Sequence, residues 1–381
     1  MSWREPLLEQ ALETDIAILG AGPAGAAAAL DLARAGRDVL LLDRQDFPRA
    51  KPCAGGVTMK AAHRLRYDIT PVVRESVTRM DMRLYRGQRH AFESDAPVVL
   101  MTHRPELDAL AVHKAREAGA RFQVVGPLRG LRQGEQGVAL DCGATRVRAR
   151  WLIGADGAHS TVRRLLFGDS GLPGAVAIEG LLPRQKAREY PPTGFDFGEI
   201  ASGYGWVFPK GDHLNVGLYV ARQGRARPDR PALARYARHR LGSDRLDCVQ
   251  GFPIGTRGHR QAPGAGRVLL AGDAAGLAEP LLGEGIYGAV LSGQMAAAAL
   301  LAEEADPLAH HGLNLAPWRE ELGRIHLLAR GYYATLPLAF GVLRHGLRRP
   351  LMEGFAAGRT LGGVKRHLLR ASRRTGSAGH A

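Results

Sequence analysis

The sequence predicts an α/β fold: a Rossmann-like parallel-sheet domain in separate segments, an inserted antiparallel-sheet lobe, and a C-terminal helical region. Three observations lead there. Residues 15–43 read as strand, glycine turn, helix and strand. A second strand, glycine loop and long helix return at Gly266–Ala305. Between them, from about Gly168 to Gly258, Pro and Gly become frequent, aromatics gather, and short alternating runs replace helical periods.

The first strand covers Asp15–Gly20, and an alanine-rich helix follows, ending at Gly36 where a C-cap favours glycine. Asp38–Asp43 is a nearly continuous apolar run, as expected of a parallel strand buried on both faces. Arg104–Gly119 reads as a helix with Pro105 in its first turn and Gly119 at its end. Strand-like segments then lead to Trp151–Gly157. In the inserted lobe, GWVFP and LNVGLYV alternate as antiparallel strands do. From Asp306 the chain is apolar-periodic with basic ends and reads as helices, and its last residues read as a disordered tail.

The 381 residues, 45% hydrophobic and 23% charged, suffice for two domains or for one with an inserted lobe, and exclude global disorder. The net charge of +15 leaves two readings: an anionic partner, or arginines on solvated faces. The charge is spread along the chain except at Arg344–Arg374, where Glu353 is the lone acid. No nucleic-acid partner is expected, and the oligomeric state is left open. Cys53, Cys142 and Cys248 are too few and scattered for a disulfide framework or a zinc site, so no metal is expected and a cytoplasmic setting is the default. The N-terminal stretch does not read as a signal peptide. No run reaches the ~18 apolar residues of a membrane span, so membrane contact would be peripheral.

Gly20-x-Gly22-x-x-Gly25 directly follows a strand and opens a helix. Gly20 allows the tight turn, Gly22 lets backbone approach a pyrophosphate, and Gly25 permits close helix–strand packing. Unpaired N–H groups at the helix start favour the phosphates. Asp43, ending the next strand, is placed to accept ribose hydroxyls. This Rossmann-like unit does not separate NAD from FAD. A second segment, Gly154-Ala155-Asp156-Gly157 before Ser160, reads either as a further cofactor contact or as a plain turn capped by Ser160. The third separates the two cofactors. Asp273 follows the strand RVLL and Gly285-Ile286 then opens a helix: an acid for ribityl hydroxyls, and a helix N-terminus to stabilise an anionic reduced flavin. Nicotinamide has neither need. The cofactor expected is FAD.

GAGPAG…LLLD, GADGAHSTVR and VLLAGDAAG resemble the flavoprotein monooxygenase-like superfamily, whose fold is similar to that of p-hydroxybenzoate hydroxylase. KPCAGGVT (Lys51–Thr58), Arg104 with Asp108, Gly203–Tyr219 and Pro280–Gly293 further resemble the geranylgeranyl reductase family. The resemblance covers about residues 14–300. The family's Cys-Gly-Gly stands here as Cys53-Ala54-Gly55-Gly56. The division expected is a Rossmann-like FAD-binding domain at 14–80, 100–168 and 259–305, with a substrate domain at 81–99 and 169–258. A helical region at 306–370 and a disordered tail at 371–381 complete it.

The resemblance implies FAD contacts at Gly20, Gly22, Ala24, Gly25, Asp43, Arg104, Asp156, Asp273, Gly285 and Ile286, and at Leu128 through its backbone. Cys53, Ala54 and Gly56 would lie in a loop beside the isoalloxazine. Arg104 also reads as an ordinary helix-start arginine, and Cys53 as a small buried residue. Tyr204, Trp206, Phe208 and Pro209 would wall a long apolar substrate pocket, though aromatics alternating in a strand also serve as plain core. No catalytic residue is fixed; Tyr204, Trp206 and Cys53 are the candidates, and Glu284 reads as a charge at a helix start.

The activity implied is reduction of carbon–carbon double bonds in a geranylgeranyl or other polyprenyl chain, with electrons from NADPH or reduced ferredoxin. No second Gly-x-Gly-x-x-Gly unit holds a nicotinamide. The basic C-terminal third suits docking at an anionic membrane surface. The rivals are a flavin-dependent monooxygenase of an aromatic or lipid-like compound, a halogenase, and a binding protein without turnover.

Overall fold

Two buried strand runs near the N-terminus form the centre of a parallel sheet. The structure, a computed structural model, describes residues 11–168, 174–188, 190–221, 226–302 and 306–368. The tail expected at 371–381 lies outside the described residues.

The first eleven strands are β1 (Leu12–Leu19), β2 (Val39–Asp43), β3 (Gly56–Thr58), β4 (Val73–Val77), β5 (Arg79–Leu84), β6 (Gln88–Glu93), β7 (Val99–Thr102), β8 (Arg121–Val124), β9 (Gly130–Gly134), β10 (Gly137–Cys142) and β11 (Thr145–Gly154). Seven more follow: β12 (Gly174–Pro183), β13 (Gly194–Phe197), β14 (Gly203–Pro209), β15 (His213–Val220), β16 (Asp247–Gly255), β17 (Gly264–Ala265) and β18 (Val268–Leu270). The α-helices include α1 (Pro23–Arg34), α2 (Met59–Ala62), α3 (Arg104–Glu117), α4 (Thr161–Phe167), α5 (Arg230–Leu241), α6 (Ile286–Leu301), α7 (Pro307–Ala334), α8 (Leu336–Val342) and α9 (Arg348–Ala356).

The first sheet runs β17-β18-β11-β1-β2-β8, with β10 and β9 folded onto β11. Parallel pairing sets Ile16 between Trp151 and Val39. Period-2 alternation sends Ile16 and Ile18 to the face covered by α1, α3 and α6, and Ala17 and Leu19 to the face covered by α7. The first strand starts earlier than the expected Asp15, because Leu12 and Glu13 pair with Val147 and Arg148 of the long β11. Helix α1 begins with Pro23, is half alanine and buries nine residues, so small side chains let it lie close to sheet and helix alike.

The second sheet runs β16-β12-β15-β14-β13-β5-β6. It is antiparallel except at one place: β13 pairs with β5 in parallel, so the expected wholly antiparallel lobe is a mixed sheet. The cause is connection length, since β5 reaches β13 from a distant part of the chain rather than through a hairpin. A third sheet, β3-β7-β4, was not foreseen.

One face of the second sheet packs under α5. The other carries Phe195, Phe197, Tyr204, Trp206, Phe208 and Tyr219, and meets Leu336, Phe340 and Met352 of the C-terminal helices. Those helices therefore roof an aromatic wall. Among the described residues no helix is long and apolar enough to cross a membrane.

Candidate active site

The glycine turn after β1 meets the start of α1 with no side-chain cap, leaving helix N–H groups available. A Cβ on Gly25 would overlap the Gly20 carbonyl oxygen, so only glycine permits the turn. A Cβ on Gly22 would meet nothing nearer than Arg49 Nη2 at 3.8 Å, so the backbone there is open to an approaching group. Asp43 Oδ2 accepts the Ala21 N–H at 2.8 Å. Arg49, which the sequence reading passed over, is largely buried and stands 3.6 Å from Asp43 and 3.7 Å from Asp108. Its Nε has no hydrogen-bond partner. An orphaned guanidinium donor beside an uncapped helix start is what an anionic pyrophosphate would satisfy.

Arg104 donates from Nε and Nη2 to the two carboxylate oxygens of Asp108, each at 2.9 Å, and both residues are buried. The fork is thus committed within its own helix, while the guanidinium also faces Cys53. Ala24 is buried where α1 approaches α6, since Cβ atoms on Gly272 and Gly293 would both press on it. Leu128 is partly buried in the loop between β8 and β9, packed against the sheet core.

Asp156 holds its own loop together. Its Oδ1 accepts the Ser160 hydroxyl at 2.5 Å, and Oδ2 accepts the N–H groups of Thr161 and Val162 at 2.7 and 3.1 Å. Ser160 in turn accepts the Arg163 N–H and caps α4. The Ser160 cap that one of the two readings expects is thus present. Asp273 presents its carboxylate toward Gly285, whose Cβ position is 3.5 Å from Oδ1. Burial pushes the Asp273 pKa up, against the Gly255 N–H and the charges of Lys51 and Arg104. Gly285 stands as the N-cap of α6 and offers no side-chain cap of its own, while the preceding Glu284 takes one first-turn N–H, that of Tyr287.

The loop Cys53–Gly56 lies between these ends. The Cys53 N–H donates to Glu179 Oε1 at 2.7 Å, and the Gly55 N–H to Cys53 Sγ at 3.4 Å. Gly55 has φ +72°, and a Cβ there would overlap the Thr102 carbonyl and Lys210 Nζ. The departure from Cys-Gly-Gly thus keeps glycine where the backbone demands it. Glu179 and Lys210 are both buried, and burial raises the pKa of the first and lowers that of the second. Neither was singled out in the sequence.

Cys53, Ala54, Gly56, Gly285 and Ile286 open onto one apolar cavity, part of it open to solvent. Tyr204, Trp206 and Phe208 line it, with Phe195 and Tyr219 beside them. Pro209 does not, because β14 alternates and its odd-numbered residues face α5 with Val207. At the far end the lining passes to Ile325, Phe355, Arg359 and Leu361 of the C-terminal region.

Tyr204 is a poor acid here. Its hydroxyl donates to the Leu282 carbonyl at 2.5 Å, and burial pushes its pKa well above the ordinary range. Trp206 Nε1 donates to Asn215 Oδ1 at 2.7 Å. The loop before α6 is tied from three elements: Tyr219 Oη donates to the Pro280 carbonyl at 2.8 Å, Tyr333 Oη to that of Leu281 at 2.6 Å, and Tyr204 to Leu282. Glu284 is more than a charge at a helix start: it accepts the Tyr287 N–H at 2.9 Å and pairs with Lys60 at 3.0 Å. Among the described residues His103, Asp212 and His213 could share an ion; none lines the cavity, and His213 Nδ1 lies 2.7 Å from Asp212 Oδ1.

Two helix starts headed by glycine, an orphaned arginine donor and a partly buried acid facing the second start define a flavin-binding oxidoreductase. Residues 13–175 match the family model described as FAD binding domain. A geranylgeranyl diphosphate reductase of Rhodobacter capsulatus is 31% identical, the match covering 76% of each chain. A menaquinone reductase of Mycolicibacterium smegmatis is 31% identical, over 74% of this chain and 75% of that one. The fold is also that of a geranylgeranyl bacteriochlorophyll reductase-like protein from Thermoplasma acidophilum, at TM-score 0.76 and 20% identity, covering 94% of this chain and 96% of that one. The chain belongs to the geranylgeranyl reductase family of FAD-dependent oxidoreductases.

Proposed function

We propose that this protein reduces carbon–carbon double bonds of a polyprenyl chain. The observation that carries the reading is the apolar, aromatic-walled cavity leading from the Gly285 helix start to the C-terminal helices. It suits a long hydrocarbon laid along the wall formed by Tyr204, Trp206 and Phe208.

In this reading the α1 start and Arg49 hold the FAD pyrophosphate, Asp43 the adenosine ribose, Asp273 the ribityl chain, and the α6 start the pyrimidine end of the ring. Reduced FAD supplies a hydride when bound. The Cys53–Gly56 loop closes one side of the ring site, and the apolar walls exclude water and orient the alkene. Electrons come from transiently bound NADPH or from reduced ferredoxin. Leu327, Leu338 and Val342, exposed on α7 and α8, with Arg330 on α7 and Arg348 at the start of α9, support docking at an anionic membrane, where a polyprenyl lipid would be met.

The test is anaerobic incubation of the FAD-loaded protein with dithionite, NADPH or reduced ferredoxin and several polyprenyl compounds, followed by mass spectrometry. Gains of two mass units per reduced bond are expected. Their absence across all compounds, or product formed only with stoichiometric consumption of O₂, overturns the reading in favour of a monooxygenase. Co-sedimentation with anionic vesicles, weakened by salt, tests the docking.

A further inference from the structure

The geometry points to Glu279 as the acid that gives the alkene its proton: a catalytic residue on the cavity wall, beyond the hydride chemistry that any bound flavin supplies. This inference rests on the alkene-reductase reading above.

The cavity's other proton-bearing groups are committed to partners of their own, Cys53 Sγ facing the Gly55 N–H and the Arg104 guanidinium. The phenols of Tyr204 and Tyr219 are spent on backbone carbonyls, and the Trp206 N–H on Asn215. Lys60 and Glu284 are paired with each other. Glu279 lines the same cavity with 3% of its surface exposed. Its Oε1 and Oε2 accept the N–H groups of Leu281 and Leu282, at 2.6 and 2.9 Å. Among the described residues these are its hydrogen bonds, so the carboxyl is fixed in place while no neighbouring acceptor claims an acidic proton.

The charge environment suits an acid that is protonated near neutrality. Burial pushes Glu279 up to about 7, against the two N–H groups and the Lys60 charge, with Glu284 pushing the same way as burial. The phenols of Tyr204, Tyr219 and Tyr333 face it and stay neutral, since burial raises all three. A donor with a pKa near the working pH is what general acid catalysis requires.

The balance is simple. The double bond opens; one carbon gains the hydride from reduced FAD and the other gains the proton as the Glu279 O–H breaks. FAD is left oxidised and Glu279 a carboxylate, which takes a proton from water once product leaves.

The test uses FAD-loaded protein, reduced anaerobically with dithionite and mixed with geranylgeranyl diphosphate in a single turnover. Wild-type flavin reoxidation is expected to fall tenfold per pH unit above about 7. Glu279→Gln is expected to be slower by on the order of 10²–10⁴-fold and to lose that pH dependence. Glu279→Asp, which keeps an acid, recovers part of the rate. Without substrate, infrared titration should show a carboxylic-acid carbonyl band that disappears near pH 7 in the wild type, is absent from Glu279→Gln and is shifted in Glu279→Asp. Retention of the bound-FAD spectrum confirms that each variant folds. Reoxidation by Glu279→Gln at the wild-type rate and pH profile, or a Glu279 already ionised at pH 6, overturns the assignment while leaving the reductase reading intact. Failure of the wild type to reduce any polyprenyl probe removes that reading, and the assignment with it.

Discussion

Replacing Glu279 by Gln should change how stability depends on pH. The folded protein holds the Glu279 proton to about pH 7, whereas the ordinary carboxyl value is 4.5. A raised folded pKa means that the folded state binds the proton more tightly. The contribution is therefore fully present below pH 4.5, declines as pH rises, and is gone above about 7. Integrated over that window the loss is about 3 kcal/mol. Spread over the unfolding entropy of a chain this long, it amounts to about 4 °C in Tm.

Gln removes the ionisation but brings its own defect. Its single amide oxygen cannot accept both N–H groups of Leu281 and Leu282, a cost of about 1–2 kcal/mol. That cost does not vary with pH, and the other titrating groups are common to both proteins. The difference in Tm between variant and wild type, followed by scanning fluorimetry from pH 4.5 to 8, isolates the one carboxyl. The variant should gain about 4 °C on the wild type across the range. A difference that stays constant across the range would refute a buried, protonated Glu279.

Three further outcomes are expected. Arg104→Met should destabilise by about 2–3 kcal/mol in urea unfolding by leaving buried Asp108 with Arg49 alone, and Arg104→Met/Asp108→Leu should recover most of it; a double variant no better than the single one would mean that the pair is not the main role of Arg104. Gly25→Ala, forced against the Gly20 carbonyl, should weaken FAD binding by roughly 10–100-fold as read by flavin fluorescence titration. Gly217→Ala should cost about 1–3 kcal/mol in the same unfolding assay, because its methyl would overlap the Trp206 indole across the strand pair.

What could be read in the sequence was local. Gly20, Gly22 and Gly25 declare a turn because strand, turn and helix are contiguous, and Gly285 marks a helix start for the same reason. The period-2 pattern in Gly203–Tyr219 was visible too, but not its full consequence: Pro209 belongs to the opposite face from Tyr204 and was grouped with it only because it is near in sequence. The rest depends on distant segments. Arg49 becomes notable only when Asp43 and Asp108 are brought beside it and its Nε is left unpaired. Glu279 is one acid in a glycine-rich loop until β14, β15 and α7 close over it. Tyr204 loses its claim to donate a proton through its bond to Leu282, a tertiary contact that no spacing announces. The parallel β5–β13 pair was equally hidden, since a long-range pairing leaves no turn signal.

The three phenols that hold the carbonyls of residues 280–282 come from β14, β15 and α7, and the last of these enters long after the rest of the nucleotide site has been made. Without α7 the Leu281 carbonyl has no phenol to satisfy it, and the loop before Gly285 keeps only its ties to Tyr204 and Tyr219. Seating of the last long helix should therefore tighten the loop that leads to the α6 start, and with it flavin binding. Bound flavin then becomes a marker of finished folding, and truncation within α7 should show as lost colour even where the sheets persist.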